Sequence, residues 1–256
     1  MRDLRALRGL LGVLVVLALF EVLGRAGIVA RSYLPPSSEV LAGAAALAGR
    51  TDFLGAVGAT LGAWAAALAC GVAAGAVLGA LLGAVPVVRA AVSALVEFLR
   101  PIPSVALIPL AALLLGSGLG LTTALGAYAA VWPVLFNTLY GIAATDPVAA
   151  DTLRGFGFGR WQVLWRVSVP GAAPFAATGV RLASSIVLIV VVGTEILSGR
   201  SDGIGGYAAS AETGTQGTVT VLACAVWAGL LGLLIDTALV RGRARAFAWA
   251  VREPAR

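Results

Sequence analysis

Few side chains in this sequence can do covalent chemistry. Its 256 residues include no His and no Lys; all 18 basic residues are Arg. Triads and metal sites built on His are therefore impossible, and a phosphate-binding P-loop lacks the Lys it needs. The string Gly199-Arg200-Ser201-Asp202-Gly203 has the spacing of a nucleophile elbow. With no His as base and a loop-like setting, the match is coincidence. Cys70 and Cys224 lie inside apolar runs, where small packing residues are expected and a disulfide is not. The sequence predicts no catalytic residue, no bound metal and no cofactor held by this chain.

What remains is ionic. Charges within or beside long apolar runs are functional candidates by default. Arg181 and Glu195 stand towards opposite ends of one such run, about 21 Å apart along a helix, so they cannot pair within it. Glu21 and Asp236 are similar cases. A structural or snorkelling role and pore lining stay open for each. Asn137, Arg181 and Glu195 are the candidate pore residues.

The densest polar stretch is 144–173. Asp146-Pro147 is a strong helix start, because Asp caps free N–H groups and Pro suits the first turn. Ala149, Thr152, Leu153 and Phe156 then share a face. Gly155, Gly157 and Gly159 interrupt the helix, with a left-handed backbone expected at Gly157. A second helix, about 160–168, carries Trp161, Leu164 and Trp165 between Arg160 and Arg166. Pro170 and Pro174 should end it. The pattern predicts helix, glycine turn, helix, with an aromatic and basic surface. An amphipathic loop with no partner and a docking element for one are both compatible with it.

These residues must be positioned by membrane-spanning helices. Hydrophobic residues make up 60% of the chain, charged residues 12%, and mean hydropathy is +0.98, which leaves no polar coat for a soluble core of this size. The net charge of +6 comes from arginines at the ends of apolar runs, which set orientation and do not imply nucleic acid. Six spans are predicted: about 9–24, 58–84, one ending near 115, 121–143, 174–197 and 217–239. The first is read as uncleaved. The turn Leu34-Pro35-Pro36-Ser37-Ser38-Glu39 should lead into an N-capped surface helix. Gly71, Gly75, Gly79 and Gly83 continue a row from Ala59, Ala63 and Ala67, a spacing that lets helix backbones approach closely. Glu97 and Arg100 could pair on one face beside an elbow at Arg100-Pro101-Ile102-Pro103, expected at the cytoplasmic boundary. With the N-terminus inside, twelve arginines fall in the cytoplasm and four (25, 31, 50 and 200) outside, which favours that orientation and makes 144–173 cytoplasmic. The division expected is 1–52, first span plus external segment; 53–250, the transmembrane domain with its loop at 144–173; and 251–256, a cytoplasmic tail.

The stretch Asp151-Thr152-Leu153-Arg154-Gly155-Phe156-Gly157, nine residues, then Val167-Ser168-Val169-Pro170 resembles the EAA loop of ABC-importer permeases. That loop reads Glu-Ala-Ala, three residues, Gly, nine residues, Ile-x-Leu-Pro. Gly157 and Pro170 match outright, Asp151 keeps the acid, and Thr152 and Leu153 depart from Ala-Ala. Leu34-Pro35 with Ser38-Glu39-Val40-Leu41, Phe98-Leu99-Arg100-Pro101-Ile102-Pro103, Ala106-Leu107-Ile108-Pro109-Leu110, Phe136-Asn137-Thr138 and Arg160-Trp161-Gln162-Val163-Leu164 resemble the nitrate, sulfonate and taurine branch.

The resemblance implies an all-α integral membrane protein of the type I importer fold in a bacterial inner membrane. It implies a second permease copy, two cytoplasmic ATPase subunits carrying ATP and Mg, and an external solute-binding protein. Asp151, Thr152, Leu153, Gly157, Trp161, Val167 and Pro170 would couple to the ATPase. The chain itself would be no enzyme. The alternative is a secondary transporter or channel working without ATP, which would call for an intramembrane ion relay and usually internal repeats. No repeat is found, and few acids lie in the spans.

Overall fold

The computed structural model describes residues 2–198, 202–211 and 215–249. The 251–256 tail and Gly199, Arg200 and Ser201 of the elbow-like string lie outside the described residues, in which every regular element is a helix.

Helix α1 spans Arg2–Arg25 and α2 spans Ser37–Leu47. The expected N-cap of α2 is not local: Pro36 is at the cap position and makes no side-chain cap bond. Glu21 of α1 does this work from a distance. Its carboxylate accepts from the Ser38 N–H at 2.9 Å, the Ser38 hydroxyl at 2.9 Å and the Ser37 hydroxyl at 3.0 Å. It also pairs with Arg25 at 2.7 Å. Glu21 is therefore structural: a carboxylate on free helix N–H groups, where negative charge is favoured. Helix α2 packs on the last long helix, which the Trp227 indole N–H ties to the Ala44 carbonyl at 2.9 Å.

The core is a layer of three long helices: α3 (Thr51–Ala84), α6 (Leu119–Ala143) and α9 (Val169–Leu197). The small-residue row of α3 lies against α6, as expected. A Cβ on Gly75 would stand 2.7 Å from the Val131 carbonyl oxygen, and one on Gly79 2.7 Å from that of Leu135. The upper end of the row turns slightly, so Thr60 is fully buried and Ala59 half-buried. Gly179 of α9 meets the Pro133 carbonyl of α6 in the same way. Close backbone approach of this kind substitutes for the hydrophobic effect between helices in lipid.

Between α3 and α6, helix α4 (Pro86–Leu99) and a short 3-10 turn leading into α5 (Ile108–Leu115) form a pair bent by 79°. The elbow is not at a membrane boundary. The Tyr128 hydroxyl, near the midpoint of α6, donates to the Leu99 carbonyl at 2.8 Å, so the bend lies about 22 Å from the Ala143 end of α6. Arg100 does not pair with Glu97; its guanidinium lies over the Phe136 ring, 4.4 Å from the centroid.

After α6 come α7 (Pro147–Gly155) and α8 (Arg160–Val163). Pro170 and Pro174 do not end a helix here. Residues 160–197 run as one 38-residue rod through a π-helical turn at Leu164–Ser168. The Val169 N–H reaches back five residues to the Leu164 carbonyl. The widened turn takes up the ring and missing N–H of Pro170, which a regular α-helix would not accommodate without a kink. Helix α10 (Ile204–Ala209) tucks in beside α3 and α9, and α11 (Thr215–Ala246) closes the chain. Among the described residues, α3, α6, the rod ending in α9 and α11 are long and apolar enough to cross a membrane, and the bent α4–α5 pair makes a fifth if it is one span. The remaining predicted span, 9–24, lies within α1.

Candidate functional site

Helix α7 begins as its sequence dictates. The Asp146 carboxylate accepts the Val148 N–H at 2.9 Å, with Pro147 in the first turn. It ends at Gly157, whose φ is +85°. The Phe158 N–H donates to the Leu153 carbonyl at 3.1 Å and the Gly157 N–H to that of Arg154 at 2.9 Å. These are the two bonds of a Schellman ending, which needs a left-handed residue at this point. The next turn is fastened by the Gly159 N–H, which donates to the Gln162 side chain at 2.9 Å.

The seven residues expected to couple lie along this unit. Asp151 is exposed and bonds Arg154 at 2.6 Å. The Thr152 hydroxyl turns inward to the Val148 carbonyl at 2.7 Å. Leu153 is half-buried and supplies the carbonyl of the helix ending. Trp161 is exposed; Val167 sits half-buried in the π turn; and Pro170 opens α9. Phe156, Trp161 and Trp165 are 78%, 62% and 66% exposed, a large apolar display for a loop. Arg166 stands over the Phe158 ring at 4.7 Å. Beneath the loop a cavity of about 420 Å³ opens between the ends of α3 and α6 and the inner side of α7 and α8. The unit is rigid at both ends: capped where it leaves α6 and continuous with α9 where it returns.

The three pore candidates are not brought together. Arg181 bonds Asp236 of α11 through Nε at 2.6 Å and Nη2 at 2.9 Å. Glu195 is 2% exposed; it accepts from the Thr60 hydroxyl at 3.0 Å and the Gly205 N–H at 3.0 Å. Thr60 in turn accepts the Ile204 N–H at 2.9 Å. A buried carboxylate thus anchors α10 at the end of α9, a structural role. Asn137 lines a cleft with Arg100, although one of its amide N–H groups is already spent on the Pro133 carbonyl at 2.8 Å. Sequence reasoning missed Thr60, Trp132 and the Arg100–Phe136 stack. A lone hydroxyl in an uncharged run was the available signal for Thr60; the others depend on the position of the elbow.

The family model for the binding-protein-dependent transport system inner membrane component matches residues 71–246. An ABC transporter permease protein of Methanocaldococcus jannaschii is 29% identical over 162 residues, 63% of this chain and 60% of that one. An aliphatic sulfonates transport permease protein of Escherichia coli K12 is 33% identical over 141 residues, 55% of this chain and 53% of that one. A taurine transport system permease protein of the same organism is 28% identical over 191 residues, 72% of this chain and 69% of that one. The chain spans about half to two thirds of the length of these relatives.

Proposed function

This chain belongs to the family of binding-protein-dependent transport system inner membrane components, and from that premise we propose that it is the permease subunit of an ATP-driven importer. It is a multi-pass inner-membrane protein. The observation that carries the reading is the α7–α8 unit: a capped helix, a left-handed glycine and an exposed aromatic surface, joined without a break to α9. A partner that pushed on Trp161 would move a membrane helix directly, because Trp161 lies in the helix that runs unbroken from Arg160 to Leu197.

Two copies would enclose the path, and two ATPase chains would bind ATP and Mg beneath them. An external binding protein would deliver the solute. The names of the relatives favour a small sulfonate such as taurine, or a similar anion. Co-expression with a neighbouring ATPase gene and binding-protein gene tests this. The tagged permease should retain the ATPase through purification and, in liposomes, take up solute only with ATP and the binding protein. Uptake that needs neither would replace this reading with a secondary transporter.

A further inference from the structure

Arg100 is a cation at the depth of the middle of α6, because the adjoining Leu99 carbonyl is held by Tyr128 at 2.8 Å. A charge at such depth is costly and normally has a partner. Among the described residues Arg100 makes no ion pair; it lies on the face of Phe136 at 4.4 Å. It borders a cleft of about 560 Å³ with Ser104, Tyr128, Trp132, Phe136 and Asn137, and no carboxylate lines that cleft. Trp132 and Phe136 give the cleft an aromatic wall.

A cation without a counter-ion thus borders an open cleft, and one kind of group meets its need. We propose that this cleft receives the oxyanion head group of the solute, a sulfonate or a carboxylate, with the Arg100 guanidinium as its donor. A guanidinium presents a planar fork that matches two oxygens of such a group. Leu182, Ile186 and Ile102 complete the lining and give a short aliphatic tail an apolar wall. The volume suits a small organic molecule. The bend between α4 and α5 is what brings Arg100 here, so the two prolines flanking Ile102 place the cation. The proposal rests on the importer reading and adds the chemistry of the group that the membrane domain holds.

The test is calorimetric titration of the purified full-length permease with ethanesulfonate, propionate and, as a cationic control, choline. The wild type should bind one or both anions saturably and not choline; which anion binds distinguishes a sulfonate from a carboxylate head group. Arg100→Gln should weaken that binding about tenfold or more, the order expected for losing a charge-assisted hydrogen bond. Arg100→Lys should restore part of it. No binding of either anion by the wild type, binding of choline instead, or unchanged affinity in Arg100→Gln would overturn the proposal. Uptake by the same proteins separates it from the importer reading. If Arg100→Gln transports as the wild type does, the cleft is not the site but the importer stands. If the wild type neither holds an ATPase nor transports, the importer reading fails whatever the cleft binds.

Discussion

Arg181 and Asp236 face each other as a bidentate pair, Nε to Oδ1 at 2.6 Å and Nη2 to Oδ2 at 2.9 Å. Each is a costly intruder in its own helix; together they clamp α9 to α11. Either charge left alone at membrane depth would have to be hydrated or neutralised. Asp236→Leu and Arg181→Leu should therefore each sharply lower the amount of folded protein in the membrane. The exchange Arg181→Asp with Asp236→Arg should recover much of it. Detergent-resistant monodispersity, read by fluorescence-detected size exclusion, is the measure; single variants that behave as wild type would show that the pair carries no weight.

The α3–α6 contact makes a graded prediction. A Cβ at Gly75 would meet the Val131 carbonyl oxygen at 2.7 Å and Val134 at 2.9 Å, whereas one at Gly62 meets nothing within 4 Å. Gly75→Ala should cost about 1–3 kcal/mol by overpacking, and Gly75→Leu should prevent assembly. Gly62→Ala should be neutral or slightly stabilising. Midpoints of thermal unfolding in detergent should fall from Gly62→Ala through Gly75→Ala to Gly75→Leu.

Glu195 holds α10 through Thr60 and the Gly205 N–H. Glu195→Leu strands both groups and should cost about 3 kcal/mol, the scale of lost hydrogen bonds to a buried charge. Glu195→Gln keeps the shape and one acceptor and should cost less. Limited proteolysis between α9 and α11 should accelerate in Glu195→Leu and change little in Glu195→Gln.

These contrasts show how far the sequence could be read. The long apolar runs of α3, α6, α9 and α11, the glycine row and the capped loop were legible because each depends on a local pattern: run length, four-residue spacing, or Asp-Pro before an amphipathic stretch. The fates of Arg181, Glu21 and Glu195 were not. Their long-range partners lie 55, 16–17 and 135 residues away, and nothing local announces which charge meets which distant donor. The α8–α9 rod was missed for a different reason. Two prolines normally signal a break; here a π turn, which has no clear sequence mark, precedes Pro170, and Pro174 lies inside the helix. The elbow was visible in Pro101 and Pro103, but its depth was set by a single tertiary bond from Tyr128.

Orientation follows from the arginine distribution, and the structure selects the reporters. Phe158 is half-buried on the α7–α8 unit, and Ser210 is exposed just after α10. In a background with Cys70 and Cys224 replaced, a cysteine at 210 should react with an impermeant maleimide added to intact cells. One at 158 should react only after the membrane is opened. The reverse pattern would invert the topology and remove 144–173 from the cytoplasm.

Force passing from α7 into the membrane domain should depend on Gly157. Its φ of +85° is set by the Schellman bonds around it, and no atom stands within 4 Å of where a Cβ would be. Any substitution there therefore acts on the backbone alone, at about 1–2 kcal/mol for a left-handed non-glycine residue. That strain is small beside the stability of a membrane domain but sufficient to unwind the end of a nine-residue helix. Gly157→Asp should leave the permease folded and inserted, misdirect α7, and reduce co-purification of the ATPase with loss of ATP-dependent uptake. Gly155→Ala, in the last turn of α7 with equally open space, should preserve both. Asp151→Lys should weaken ATPase binding by a separate route, because it reverses an exposed charge and repels Arg154 without straining the turn. High salt should therefore lessen the defect of Asp151→Lys and leave that of Gly157→Asp unchanged. If Gly157→Asp and Asp151→Lys both hold the ATPase and transport at the wild-type rate, force enters the membrane domain somewhere other than this loop.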